Sequence, residues 1–311
     1  MYIITGATGH IGNNLVRLML ASGETVRLLL RRDGEALHGL KAEKIYGDIF
    51  DPHFLAKHVA PGDVLIHLAA VIDLSNQRGK ETRSTNFLGT KVIADFCAKK
   101  GVRLVFISSV DAIKKPFPVG LIHEPDAFEP ASFHNEYARS KAMATAYVFQ
   151  LMSSKQLCGC ILYPSAVIGV HDYKPSAAGR EIVRAFKMKI AFFIKGGYNF
   201  IDVRDVARAI YRAALEHYDG TCILAAHPVT VRGLYRAIFK ALGHKTWLIR
   251  VPVVLARLGT LYMKSFSSVM IDALLENYDY DNGRMLRDLV PDPIPFATTL
   301  ADTVAWFQTR N

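Results

Sequence analysis

A short apolar run at residues 2–4 leads straight into Thr5-Gly6-Ala7-Thr8-Gly9-His10-Ile11-Gly12, and the following Leu15, Val16, Leu18 and Met19 carry helical apolar spacing. No other feature limits the fold so narrowly. Three glycines spaced three apart let the backbone turn tightly and approach a ligand with no Cβ in the way. The helix that follows offers unpaired N–H groups and the positive end of its dipole. Strand, glycine loop and helix in that order specify a pyrophosphate cradle, lined by Gly6, Thr8, Gly9, His10, Ile11 and Gly12.

The chain beyond alternates short β-branched runs with amphipathic stretches. Strands are predicted at 2–4, 25–30, 43–46, 64–68, 104–107 and 160–163, and helices at 82–99, 135–151 and 201–217, the last entered through Asp202 or Asp205. Uninterrupted apolar strands suit a sheet covered on both faces. The expected fold is therefore α/β, a doubly wound parallel sheet. Residues 1–170 would form the dinucleotide-binding domain, with 200–226 returning to it through a late strand at 221–225. Residues 171–199 and 227–311, broken by Pro252, Pro291, Pro293 and Pro295, would form a smaller helix-rich substrate cap.

Composition excludes several classes. Half of the 311 residues are hydrophobic, too many for a disordered chain. Lysine and arginine exceed aspartate and glutamate by 10, but the basic residues form no run longer than a pair, so a nucleic-acid partner is not expected and a small anionic ligand is. Cys97, Cys158, Cys160 and Cys222 have no paired spacing and the histidines no ligand spacing, so neither disulfides nor a metal is expected. The most apolar stretches, 182–194 and 247–263, contain charges that lipid would penalise, and no secretory leader is read before the first strand. These features predict a cytoplasmic protein with no membrane partner.

The second strand ends in Arg31-Arg32, where an acid would hold the ribose of NAD. Guanidinium groups there pair with a 2′-phosphate, which favours NADP over NAD; NAD held through Asp33 or the backbone is the alternative. Asp48 follows the third strand and suits either an adenine contact or the cap of a helix at 52–59. Tyr137 and Lys141 lie four apart, hence on one helical face. The ammonium is expected to lower the phenol from its usual pKa of about 10, fitting it for acid–base work. Ser108 and Ser109 close the fifth strand, at the sheet edge where such folds bind ligands.

With these motifs in hand, the chain resembles the extended, epimerase/dehydratase-like branch of the short-chain dehydrogenase/reductases, over nearly its whole length. The likeness includes Gly47-Asp48, His67 to Ala70, Asn86, the stretch from Tyr163 to Gly169, and Asn199 to Ala207, which looks most like dihydroflavonol-reductase-like and hydroxysteroid-dehydrogenase-like members. The resemblance implies a Rossmann fold and a catalytic triad of Ser109, Tyr137 and Lys141, with Ser109 rather than Ser108 orienting the substrate carbonyl. It also implies cofactor contacts at Asp48, Ile49, Leu68, Ala69, Ala70, Asn86 and Pro164, and a homodimer paired through helices 82–99 and 135–151, whose Ile93, Cys97, Ala144 and Val148 permit such pairing. The implied activity is NADP(H)-dependent reduction of an aldehyde or ketone; the alternative is an NAD-dependent sugar-nucleotide epimerase using Arg180, Arg184, Lys187, Lys189 and Arg257 on a diphosphate. Three positions depart from the pattern. Tyr163 replaces an arginine, Ala112-Ile113-Lys114 replaces Val-Tyr-Gly, and Thr145 replaces an acid. Phe186, Phe192, Phe193, Tyr198, Trp247 and Tyr262 supply cap aromatics for an apolar substrate or for the cap's own core.

Overall fold

The computed structural model describes residues 1–73, 77–115, 120–259, 268–275 and 278–310; Tyr262 lies outside the described residues. In chain order the strands are β1 (Tyr2–Thr5), β2 (Val26–Leu30), β3 (Glu43–Tyr46), β4 (Val64–His67), β5 (Arg103–Ile107), β6 (Gly159–Pro164), β7 (Ala166–Ile168), β8 (Ile190–Phe193), β9 (Gly197–Asp202), β10 (Gly220–Leu224), β11 (His227–Thr230) and β12 (Trp247–Arg250). Seven of them make one parallel sheet in the order 3-2-1-4-5-6-10. The order reverses between β1 and β4, so the ligand crevice of such a sheet opens beyond Thr5 and His67.

The apolar runs explain the layering. All four residues of β4 and all six of β6 are buried, as helices cover both faces. Helices His10–Ala21 and Val203–Leu215 pack Leu15, Met19, Ile210 and Ala213 on one face. Helices Thr90–Lys100 and Glu136–Ser153 pack Ile93, Cys97, Ala144 and Val148 on the other. Those four residues are therefore core rather than a second surface face. A third core, with Ile182, Ile238, Phe239 and Phe307, joins helices Ala177–Ala185, Val231–Leu242 and Phe296–Gln308.

Two helix predictions change. The stretch at 201–217 begins as β9, because Asp202 accepts from the Arg204 N–H at 2.8 Å and starts the helix only at Val203. The stretch at 82–99 is interrupted by a widened turn at Ser84–Gly89, where Thr90 Oγ1 donates to the Asn86 carbonyl at 2.7 Å.

Candidate active site

At the end of β1, Thr5 Oγ1 lies 2.7 Å from His67 Nδ1, and His67 Nε2 lies 3.1 Å from Thr90 Oγ1. Burial, with Lys141 nearby, drives the imidazole down to about 3, so this bridge between β1, β4 and the helix behind them is neutral. Gly6 then turns with φ +74°; a Cβ there would lie 2.5 Å from Ala69 N and Leu68 C, so the loop runs directly against Leu68 and Ala69. A Cβ on Gly12 would lie 2.3 Å from the Gly6 carbonyl oxygen. With no side-chain cap on Gly9, helix His10–Ala21 presents its first N–H groups outward. This cradle, which a Cβ would fill, fits a dinucleotide pyrophosphate. The His10 ring is committed elsewhere, 3.0 Å from the Val170 carbonyl.

Beyond β2, Arg31 and Arg32 are exposed, with no ion pair among the described residues. Asp33 behaves differently. It pairs with Lys44 at 3.0 Å, accepts from Tyr46 at 3.1 Å and from the Gly34 N–H, and these bonds hold its carboxyl below the usual range. The next residue, Gly34, sits against Thr8: a Cβ there would be 3.4 Å from Thr8 Cγ2. The arginine loop thus borders the phosphate loop. Asp48 is exposed and accepts from the Phe50 N–H at 3.0 Å; the helix Pro52–His58 is capped by Asp51 instead, which removes the capping alternative for Asp48. Ile49 packs against Gly89. The Asn86 amide is fully engaged, accepting from the Val71 N–H at 2.8 Å and donating to the Val71 carbonyl and to Ser140. It holds the strip beside Leu68–Ala70 in place. Pro164 ends β6.

The two serines after β5 separate cleanly. Ser108 donates to Thr145 at 2.6 Å, since the Thr145 hydroxyl itself donates to the Lys141 carbonyl. Ser109 donates to Asp111 Oδ2 at 3.3 Å and accepts from the Asp111 N–H at 3.1 Å, with the Tyr137 phenol close beside it. Asn135 caps helix Glu136–Ser153 through the Tyr137 N–H at 2.7 Å, which fixes the tyrosine at the first turn. Lys141 donates to the Ile107 carbonyl at 2.8 Å and lies over the Phe106 ring.

The electrostatics differ from the sequence expectation. Burial, and next the Asp111 carboxylate, push the Tyr137 phenol up; the nearby Ser109 hydroxyl only partly opposes them. Lys141, turned to the Ile107 carbonyl, is itself pushed down to about 7 by burial. Between about pH 7 and 10 the unfolded chain therefore holds a proton that the folded chain lacks, and stability rises with pH; below pH 7 the full cost of burying the charge remains. Lys141→Met is expected to stabilise the ligand-free protein by roughly 2 kcal/mol at about pH 6, the gain fading toward pH 10. Thermal melts across that range check it, and a gain independent of pH would contradict it.

Sequence reasoning missed one pair. Tyr198 donates to Asp111 Oδ1 at 2.6 Å, bringing a phenol from β9 to the turn after Ser109. The signal available was an acid two residues past a strand-end serine, but its partner lies 87 positions away. Tyr163 is fully buried in β6, with no hydrogen-bond partner for its hydroxyl among the described residues; it fills core where the family pattern has arginine. Of the cap aromatics, Phe186 and Phe193 pack on the third core, whereas Phe192 and Trp247 are exposed.

Comparison with known proteins bears on the family and the fold. The family model described as "NAD dependent epimerase/dehydratase family" matches residues 2–222. The chain is 28% identical to sterol demethylase protein B of Methylococcus capsulatus, over 99% of this chain and 98% of that protein. It is 29% identical to 3 beta-hydroxysteroid dehydrogenase type 7 of Rattus norvegicus, over 82% of this chain and 81% of that protein. The crystal structure of gox2253 superposes with a TM-score of 0.86 at 24% identity, covering 100% of this chain and 98% of that one.

Proposed function

Because the chain belongs to the NAD-dependent epimerase/dehydratase family, an oxidoreductase family that binds NAD(P), we propose that it is an NADP(H)-dependent oxidoreductase interconverting a ketone and a secondary alcohol on an apolar, ring-bearing substrate. The observation that carries this reading is that the buried Tyr137 phenol lies beside Ser109 at the carboxyl edge of the sheet, with Lys141 one turn further along the same helix.

The nicotinamide, when bound, supplies or accepts hydride. Everything else falls to side chains of this chain. In reduction Tyr137 gives its proton to the substrate oxygen, and burial keeps that phenol protonated until it is needed. Ser109 donates to the same oxygen and stabilises charge as it develops there. Lys141 steadies the resulting phenolate and holds the nicotinamide ribose. Gly6, Thr8, Gly9, His10, Ile11 and Gly12 bind the pyrophosphate, Arg31 and Arg32 the 2′-phosphate, and Asp48 and Ile49 the adenine. Leu68, Ala69, Ala70 and Pro164 flank the cofactor, with Asn86 positioning that strip. Residues 171–199 and 227–311 close over the substrate. The sterol and steroid names of two relatives support a fused-ring ketone as the first substrate to try.

NADPH oxidation against a panel of cyclic and steroidal ketones tests the proposal. Turnover with at least one ketone is expected. A purified protein that carries tightly held NAD, oxidises no NADPH and inverts a sugar nucleotide would replace it with the epimerase reading. Within the triad, Ser109→Ala is expected to lower kcat about tenfold to a hundredfold. Ser108→Ala should cost about 1 kcal/mol of stability and leave kcat within a fewfold; the reverse pattern would reassign the serine.

A further inference from the structure

The positive charge of this protein is concentrated in two stretches of the chain. Residues 182–201 and 220–271 contain no aspartate or glutamate and hold eleven of the 38 lysines and arginines; the rest of the chain, with 27 basic and 28 acidic residues, is nearly neutral. The same stretches carry an unusual strand pair. β8 and β12 align in parallel, Ile190 beside Trp247 and Phe192 beside Ile249. The outward face of such a pair is ordinarily polar, yet these four are exposed, Phe192 at 62% and Trp247 at 78%. Ala191 and Leu248, on the other face, pack into the third core. The next helix, Val253–Gly259, adds exposed Val254, Leu255 and Leu258. Lys187 and Lys189 precede β8 and Lys195 follows it; Lys245 precedes β12 and Arg250 ends it. All five are exposed, and none has an acidic partner among the described residues.

We propose that this face docks on a bilayer surface bearing anionic headgroups. An exposed apolar row framed by cations that have no acidic partner among the described residues matches the boundary between acyl chains and phosphates, where a tryptophan also seats well. A nucleic acid would use the cations and leave the apolar row wet. A second copy meeting through this face would bring like charges together. Among the described residues no helix is long and apolar enough to cross a membrane, so the contact is with the surface.

The full chain, mixed with phosphatidylcholine vesicles with and without phosphatidylglycerol, tests this directly. Co-sedimentation at least about tenfold stronger with the anionic vesicles is expected, weakening as salt is raised. The chain has two tryptophans, and Trp306 is half-buried against His171 and Tyr173, so a blue shift of emission on vesicle binding, kept in Trp306→Phe, reports Trp247 entering the interface. The exposed-site variants Phe192→Ser/Trp247→Ser and Lys187→Glu/Lys189→Glu should each lose about tenfold or more in vesicle affinity with unchanged melting. Absence of anionic-vesicle binding by the unaltered chain overturns the proposal. So does binding that both variants retain, or Trp247 found shielded by self-association or by DNA in vesicle-free solution.

Discussion

Tyr137→Phe is expected to lower kcat by about a thousandfold while NADPH affinity stays within about twofold. The ring is buried and keeps its packing in the variant; what disappears is one hydroxyl beside Ser109, and with it the proton for the substrate oxygen. Loss of one hydroxyl costs about 1 kcal/mol of stability at most, too little to unfold the domain. Steady-state turnover with the best ketone of the panel, set beside a fluorescence titration with NADPH, separates chemistry from binding. Turnover within tenfold of the parent would remove Tyr137 as the proton donor and, with it, the proposed mechanism.

Arg31→Ser/Arg32→Ser is expected to lower the preference for NADPH over NADH by roughly a hundredfold, with kcat/KM for NADH changed by less than about threefold. Two charge-assisted contacts to a phosphate are at stake, discounted here because both arginines are exposed and screened. The nearest acid reinforces the expectation: Asp33 is tied to Lys44, Tyr46 and the Gly34 N–H rather than left open to a ribose hydroxyl. KM for NADPH in the parent should also rise with ionic strength. If the double variant keeps the parent's preference, the 2′-phosphate is not recognised here, and NAD with Asp33 becomes the better assignment.

The parallel sheet, its strand positions and the glycine loop were legible in the sequence because each rests on local order. A run of β-branched residues is buried on both faces wherever it lands in such a sheet, and a glycine triplet before a helix works through its own backbone. The four-residue spacing of Tyr137 and Lys141 was legible for the same reason, being one turn of one helix. The direction of the tyrosine's proton affinity was not. That depends on how deeply the ring is buried and on a carboxylate from another segment, both of which outweigh a lysine that the fold turns toward Ile107.

The sequence by itself determined the strand–loop–helix cradle, the segments that form the sheet and the placing of Tyr137 and Lys141 on one helical face. Only the tertiary structure gave Ser108 a partner of its own, by seating Thr145 within reach of it. It alone bound Asp33 to Lys44, brought Tyr198 to Asp111, put Ile93, Cys97, Ala144 and Val148 in the core and turned the apolar row of β8 and β12 outward. The physical reason is common to all five. Helix periodicity and glycine freedom act over a few residues, but the partner of a side chain from another segment is set by register and packing between elements far apart in the chain, which no spacing encodes.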